Sequence, residues 1–322
     1  MKRPIAIIAG EPNSISSEII FKSWILRKKF KHNPFFVIGS IDLLNLQKKR
    51  LKYKIKLKKI DNNFKKKDLV GSELPIYDIK YNQKKPFEKT SIKSNKYIFK
   101  SFDSAIKLAK IKKIKGFINC PVSKETLFKK KHQGVTEFLS KKYGVGGNEV
   151  MLIYNKELAV CPVTTHIPLN QVSKTLTKSQ ITNKIKIIDR FYKRNLKKTP
   201  KIGILGINPH NFSPLGKLEK TKIIKNVVKS LKNKAKVVGP MSPDSSFTSI
   251  NKSKFDVIVG MYHDQVLTPF KALYNFNAIN VTLGLPYLRV SPDHGIASNI
   301  VGKKIASPKS LIESIKFFNL II

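Results

Sequence analysis

Short runs of β-branched and aromatic residues alternate along this chain with longer stretches in which apolar side chains recur every three or four positions. The first pattern fits strands buried on both faces, the second helices that bury one stripe. The chain therefore predicts strands over 5–9, 35–39, 116–120, 150–154, 158–163, 201–205, 236–238 and 256–260. It predicts helices over 16–28, 96–110, 136–142, 178–194, 219–232 and 308–318. Thr177 stands where an N-cap belongs, just ahead of the stripe Ile181, Ile185 and Ile188. The Lys-rich stretch 46–67 reads as strand and turn, and no internal repeat is visible. Such alternation is the mark of an α/β fold. Pro121-Val122-Ser123-Lys124 follows a predicted strand and marks a crossover between two lobes, and the helix after Gly302 returns to the first. The expected division is 1–122 with 303–322 as one α/β lobe, and 123–302 as a second that carries most of the candidate site residues.

Composition narrows the class. A chain of 322 residues with 41% hydrophobic content supports one large or two medium globular domains. No apolar run approaches the roughly 20 residues of a membrane span. The apolar stretch Ile5 to Gly10 is short and runs straight into Glu11-Pro12, so it reads as a first strand and not as a leader. Cys120 and Cys161 are too few for a disulfide scaffold and fit a reducing cytoplasm. The formal charge of +43 raises the question of nucleic acid, but only six of the basic residues are arginines, at positions 3, 27, 50, 190, 194 and 289. Arginine supplies the bidentate and stacking contacts of sequence readers. The lysines are scattered, with runs such as Lys65-Lys66-Lys67 that read as solvated surface. No specific nucleic-acid partner is expected; a surface of this kind steers anions towards it.

Candidate chemistry lies in the histidines. Of six, His166, His210 and His263 each follow a predicted strand or lie just beyond its end. Sites of α/β sheets gather outside the carboxyl ends of strands. Three imidazoles converging there would bind a divalent cation and leave positions open for substrate. Each alone reads as a hydrogen-bonded loop histidine, and spacings of tens of residues form no local metal motif. The densest polar stretch is Gly260-Met261-Tyr262-His263-Asp264-Gln265 with Asn280-Val281-Thr282-Leu283-Gly284-Leu285-Pro286, continuing through Arg289, Ser291, Asp293 and His294. Polar residues this dense among apolar ones need partners, and line a site more readily than a core. Asp264 is a base, a hydrogen-bonded support for His263 or the cap of a turn; Lys271 and Arg289 hold an anion or are surface charge.

The segments Thr164-Thr165-His166-Ile167-Pro168-Leu169, Gly206-Ile207-Asn208-Pro209-His210 and Met261-Tyr262-His263-Asp264-Gln265 occur in the order of the 4-hydroxythreonine-4-phosphate dehydrogenase family, which this chain resembles. The resemblance runs from the first strand to the last Gly-containing motif, and is most specific after Cys120. It implies a two-lobed α/β/α fold like that of isocitrate and isopropylmalate dehydrogenases, with a cleft between lobes and no Rossmann fingerprint. It implies His166, His210 and His263 as ligands of a catalytic Zn2+, Mg2+ or Co2+ at the interface of a homodimer. Thr136, Lys271, Asn280 and Arg289 correspond to substrate-binding positions, and Asp244 and Asp264 to acidic residues that assist the chemistry. The implied reaction is NAD- or NADP-linked oxidation of 4-phosphooxy-L-threonine followed by decarboxylation, in pyridoxine 5'-phosphate biosynthesis in the cytoplasm. The choice of metal, of NAD or NADP, and of the general base is left open by the sequence.

Three departures from the family pattern bear on the substrate. Gly134-Val135-Thr136-Glu137 has Val135 where the family carries His. Asn13-Ser14-Ile15-Ser16-Ser17-Glu18 replaces a Gly-rich loop, although serines can still cap a helix. The loop after His210 is about two residues shorter and lacks the family's Gly and Glu. These leave room for a same-fold dehydrogenase of another phosphorylated hydroxy acid or a cyclic diol, or for a catalytically impaired paralogue. If the lysines only steer anions, rising ionic strength lowers kcat/KM for a phosphorylated substrate and spares kcat. A nucleic-acid-binding protein would instead bind duplexes, and keep doing so after His166, His210 and His263 are lost.

Overall fold

The computed structural model describes residues 3–128, 134–142, 146, 148–209 and 219–321. Contacts divide the chain into two compact units, Met1–Phe138 with Pro286–Ile321, and Leu139–Leu285 with Ile322. The sequence placed these boundaries at 122/123 and 302/303. The strand carrying Arg289 joins the first unit because it pairs with a strand of that unit's sheet.

In the first unit the strands are β1 (Ile5–Ile8), β2 (Phe35–Gly39), β3 (Leu57–Ile60), β4 (Leu74–Asp78), β5 (Gly116–Asn119) and β12 (Leu288–Pro292). They run β3-β4-β2-β1-β5-β12, and every pairing between them is parallel. Parallel strands covered on both faces must be apolar throughout, and β1, β2 and β5 are buried at every position. Helices α1 (Ser16–Leu26), α2 (Ile41–Arg50), α3 (Asn95–Lys110), α4 (Lys124–Phe128) and α11 (Lys309–Leu320) lie in this unit, as does the start of α5 (Val135–Lys142). α3 buries Tyr97, Ile98, Phe102, Ala105 and Ile106, a stripe of helical period.

The second unit holds β6 (Val150–Tyr154), β7 (Ala159–Thr164), β8 (Lys201–Leu205), β9 (Lys236–Met241), β10 (Val257–Tyr262) and β11 (Ile279–Leu283). Their order is β11-β6-β7-β10-β8-β9. β6 is antiparallel to both neighbours, whereas β7, β10, β8 and β9 run parallel. The helices are α6 (Leu169–Thr175), α7 (Lys178–Phe191), α8 (Glu219–Leu231), α9 (Ser249–Lys252) and α10 (His263–Tyr274). Thr177 caps α7 in a reciprocal capping box with Gln180. Val160, Ile258, Val266 and Phe270 pack into one core beneath α10.

The structure adds elements the sequence reading did not predict, among them β4, β11, β12, α6 and α10, and departs from it in detail elsewhere. Residues 46–67 open on a helix, because Ser40 accepts a hydrogen bond from Leu43 N and α2 buries Leu43, Leu44 and Gln47. The predicted helix 178–194 ends as α-helix at Phe191 and continues as a π-turn, Tyr192–Leu196, closed by Lys197 at φ 52°. In the N-terminal loop the serine that serves α1 is Ser14, whose Oγ accepts from Ser16 N at 3.1 Å, while the N-cap residue itself is Ile15.

Two residues past β1 stands Gly10, where φ is +74° and a Cβ would stand 2.4 Å from the Pro121 carbonyl oxygen. Only glycine accepts both constraints. Gly10→Ala is expected to destabilise the protein by about 1–3 kcal/mol or more, read as a lowered midpoint in urea unfolding; an unchanged midpoint would show that the loop relaxes freely.

Candidate active site

Parallel pairing of β7 with β10 sets Tyr262 opposite Thr164, so both strands end at one level. The Thr164 hydroxyl donates to the Met261 carbonyl at 2.7 Å and locks those ends together. His166 follows two residues beyond β7, with φ 46°, a left-handed conformation that a non-glycine residue adopts at a cost. His263 opens α10 directly after β10. The two rings come to 5.8 Å between centroids, with planes inclined by 37°. The Asp264 carboxylate accepts from His263 Nδ1 at 2.8 Å, which fixes the ring and leaves Nε2 to ligate. Asp264 itself is largely in solvent, its side chain 79% exposed.

Gln265, which the sequence shows only as an amide neighbour, ties a third strand to this edge. Its Oε1 accepts from Met261 N at 2.6 Å and its Nε2 donates to the Gly206 carbonyl at 2.8 Å. Gly206 immediately follows β8, so Gln265 holds the strand ends that lead to His263 and towards His210. Gly260 makes room for it, since a Cβ there would lie 2.5 Å from Val266 and 2.9 Å from Gln265 Oε1. His210 lies outside the described residues, as does the loop after it. Among the described residues no group of three or more His, Cys, Asp and Glu forms a complete metal cage. Two imidazoles at neighbouring strand ends, one buttressed by a carboxylate, are nonetheless the donor chemistry a divalent cation needs.

The other candidates fall in separate places. Asp244 lies just past β9, exposed, with its carboxylate accepting from Ser245 N at 2.8 Å. Lys271 lies two turns along α10 from His263, its ammonium 5.1 Å from the Phe276 ring centre. Asn280 sits on β11 opposite Ile153, and its Oδ1 is buried without a hydrogen-bond partner among the described residues. A buried amide oxygen left open in this way is a natural receptor for a ligand donor.

Arg289 and Thr136 belong to the first unit. Arg289, on β12, is 3% exposed; its Nε donates to Asn119 Oδ1 at 2.6 Å and its Nη1 to the Thr136 hydroxyl at 3.3 Å. Asn119 was not evident from sequence; its only signal is a polar residue closing an apolar strand. Burial pushes the guanidinium down to about 10, and the Glu137 carboxylate acts against that shift. The group remains protonated near neutrality. Val135 is buried at 8% exposure beside Thr136.

Strand ends bearing imidazoles and a buried arginine on an α/β scaffold are the equipment of an enzyme, and comparison with known proteins makes this one an oxidoreductase. Residues 31–318 match the family model of the pyridoxal phosphate biosynthetic protein PdxA. A 4-hydroxythreonine-4-phosphate dehydrogenase of Sulfurihydrogenibium sp. (strain YO3AOP1) is 37% identical over 97% of this chain and 96% of its own. The crystal structure of the 4-hydroxythreonine-4-phosphate dehydrogenase of Klebsiella pneumoniae superposes with a TM-score of 0.85 at 29% identity, covering 99% of this chain and 97% of the other. A protein of Oceanobacillus iheyensis with the provisional name D-threonate 4-phosphate dehydrogenase is 32% identical over 98% of this chain and 96% of its own. The chain belongs to the PdxA family. In fold alone it is also similar to an isocitrate dehydrogenase of Methylococcus capsulatus, with a TM-score of 0.51 at 10% identity.

Arg289→Lys keeps the charge and loses the fork to Asn119 and Thr136. KM for an anionic substrate is expected to rise about tenfold to a hundredfold with a smaller change in kcat, the worth of one or two charged hydrogen bonds. An unchanged KM in steady-state kinetics would place Arg289 in the fold and not in substrate binding.

Proposed function

We propose that this protein oxidises 4-phosphooxy-L-threonine to 2-amino-3-oxo-4-phosphooxybutanoate, which loses carbon dioxide to give 3-amino-2-oxopropyl phosphate, a step of pyridoxine 5'-phosphate biosynthesis in the cytoplasm. The observation that carries this reading is the His166–His263 pair, held at 5.8 Å by adjacent parallel strand ends and braced by Asp264. His166, His210 and His263 are the ligands of a divalent cation, Zn2+, Mg2+ or Co2+, in this reading. When bound, such a cation would supply Lewis acidity to the substrate hydroxyl and to the ketone that replaces it, and NAD or NADP would be the hydride acceptor.

The chain's own residues then have distinct tasks. Neutral imidazoles supply lone pairs without cancelling the positive charge of what they hold. Asp264 keeps His263 in the tautomer that presents Nε2, and Asp264 or Asp244 receives the hydroxyl proton. Arg289 with Thr136 binds an anionic end of the substrate, carboxylate or phosphate, through its fork. Lys271 adds a further positive charge, and Asn280 Oδ1 accepts a hydrogen bond from a hydroxyl or ammonium. Loss of carbon dioxide from the β-keto acid breaks the bond between the amino-bearing carbon and the carboxylate carbon and leaves an enolate, which takes a proton at the amino-bearing carbon from solvent to give the product. The family resemblance supports a homodimer with the active site at its interface.

Val135 favours a second reading, in which the substrate is another phosphorylated hydroxy acid such as D-threonate 4-phosphate. An isopropyl group beside Thr136 offers no hydrogen bond to a phosphate or amine, and so narrows what the pocket recognises. A cyclic diol would offer Arg289 a carboxylate at most, and no phosphate.

NADH or NADPH formation from 4-phosphooxy-L-threonine, followed with and without added divalent metal beside a His210→Ala control, tests the proposal. Metal-dependent turnover that disappears in the control is expected. Absence of turnover in folded, metal-loaded protein would sink the assignment. Turnover of D-threonate 4-phosphate instead, shifted towards the threonine phosphate by Val135→His, would establish the second reading; inactivity on both would mark an impaired paralogue.

A further inference from the structure

We infer that the second unit binds a chain of consecutive phosphates at the amino edge of its sheet, away from the carboxyl edge that carries the histidines. Two cavities open there, of about 280 and 440 Å³, and they adjoin through Lys193, Lys234 and Ala235, which line both. The larger reaches Lys201 and Lys236, the first residues of β8 and β9. His166 and His263 follow the last residues of β7 and β10, which run parallel to β8. A ligand in these cavities would therefore occupy the opposite edge of the same sheet.

The lining is one-sided in charge. Lys186, Arg190, Lys193 and Arg194 project from α7 and the π-turn that ends it, and line the smaller cavity. Two of the chain's six arginines are thus gathered at one cavity. Lys201, Lys232 and Lys236 extend the row along the larger one. All of these cations are exposed, and Asp189, paired with Lys193 at 2.8 Å, is the only carboxylate in either lining. Cations near helix C-termini also oppose the negative end of the helix dipole, which explains why they are tolerated there. It does not explain two concave surfaces with almost no acid, where low-dielectric walls focus a positive potential.

The shape of the chemistry selects the ligand. Guanidinium forks bind phosphate oxygens in pairs and ammonium groups neutralise them as point charges. The uncharged lining includes Leu231, Ala235, Val237 and Val238 but no aromatic ring on which a base could stack. Single-stranded nucleic acid relies on such stacking. Linked phosphates without bases to bury, free or at the end of a nucleotide, fit the groove.

Calorimetric titration of the full-length protein with inorganic tripolyphosphate, and separately with ATP, tests this. Tripolyphosphate is expected to bind with an affinity that falls steeply as salt rises. Arg190→Ala/Arg194→Ala should weaken it about tenfold or more, whereas Lys65→Ala/Lys66→Ala, which removes equal charge from the first unit, should change it by less than about twofold. ATP binding as tightly as tripolyphosphate would identify the esterified chain as sufficient, and weaker ATP binding the free one. Should circular dichroism show the double alanine variant unfolded, Arg190→Lys/Arg194→Lys keeps the charge, loses the forks, and should still weaken binding. Equal weakening in both unit variants would reduce the effect to overall charge and overturn the inference, as would single-stranded RNA that displaces tripolyphosphate.

Discussion

Parallel pairing of β7, β10 and β8 is the constraint on which the candidate active site rests. In an antiparallel pair the two carboxyl ends point apart; in a parallel pair they finish side by side. His166 and His263 are about a hundred residues apart in sequence, yet their rings lie 5.8 Å from one another because the register sets Thr164 opposite Tyr262. The Thr164 hydroxyl and the Gln265 amide secure the level at which the strands stop. Neither is needed to form the sheet. Both are needed to keep its edge square, and the left-handed backbone of His166 shows strain held at that edge.

The first unit solves a different problem, the burial of a permanent positive charge. Taking Arg289 out of water is costly unless good hydrogen bonds and a counter-charge repay it. Asn119 and Thr136 supply neutral acceptors, and Glu137 supplies opposing charge that does not fully offset the burial. Asn280 shows the same logic in uncharged form, with a buried oxygen whose hydrogen-bond capacity the described protein leaves unused.

Much of this was legible because the signals were local. β1 and β2 are short apolar runs bounded by polar turns, and Thr177 with Gln180 advertises the start of α7. The α/β class and the family followed from such runs and from the motifs around His166, His210 and His263. Other elements were hidden by conflicting cues. Pro269 inside α10 argues against a helix, since it removes the bond to the Gln265 carbonyl, yet Val266, Leu267, Phe270 and Tyr274 are buried along it and hold the helix in place. The lysines of 46–67 masked the short stripe Leu43, Leu44 and Gln47 that makes α2. Asn119 and Gln265 were unreadable for a deeper reason: their roles depend on partners 170 and 59 residues away. Only tertiary register reveals them.

The first unit is also discontinuous, and this shapes how the chain can be born. Leu288 pairs with Gly116 across the whole of the second unit, so β12 reaches β5 only after some 170 intervening residues exist. On the ribosome, β1, β2, β4 and β5 emerge early with one flank of β5 unsatisfied, while the second unit, contiguous from Leu139 to Leu285, can fold as soon as it is released. A late-made strand therefore closes an early-made sheet. An exposed apolar strand edge must be kept from other chains for most of translation, and the interval ends when the β12 segment, Arg289 included, leaves the exit tunnel.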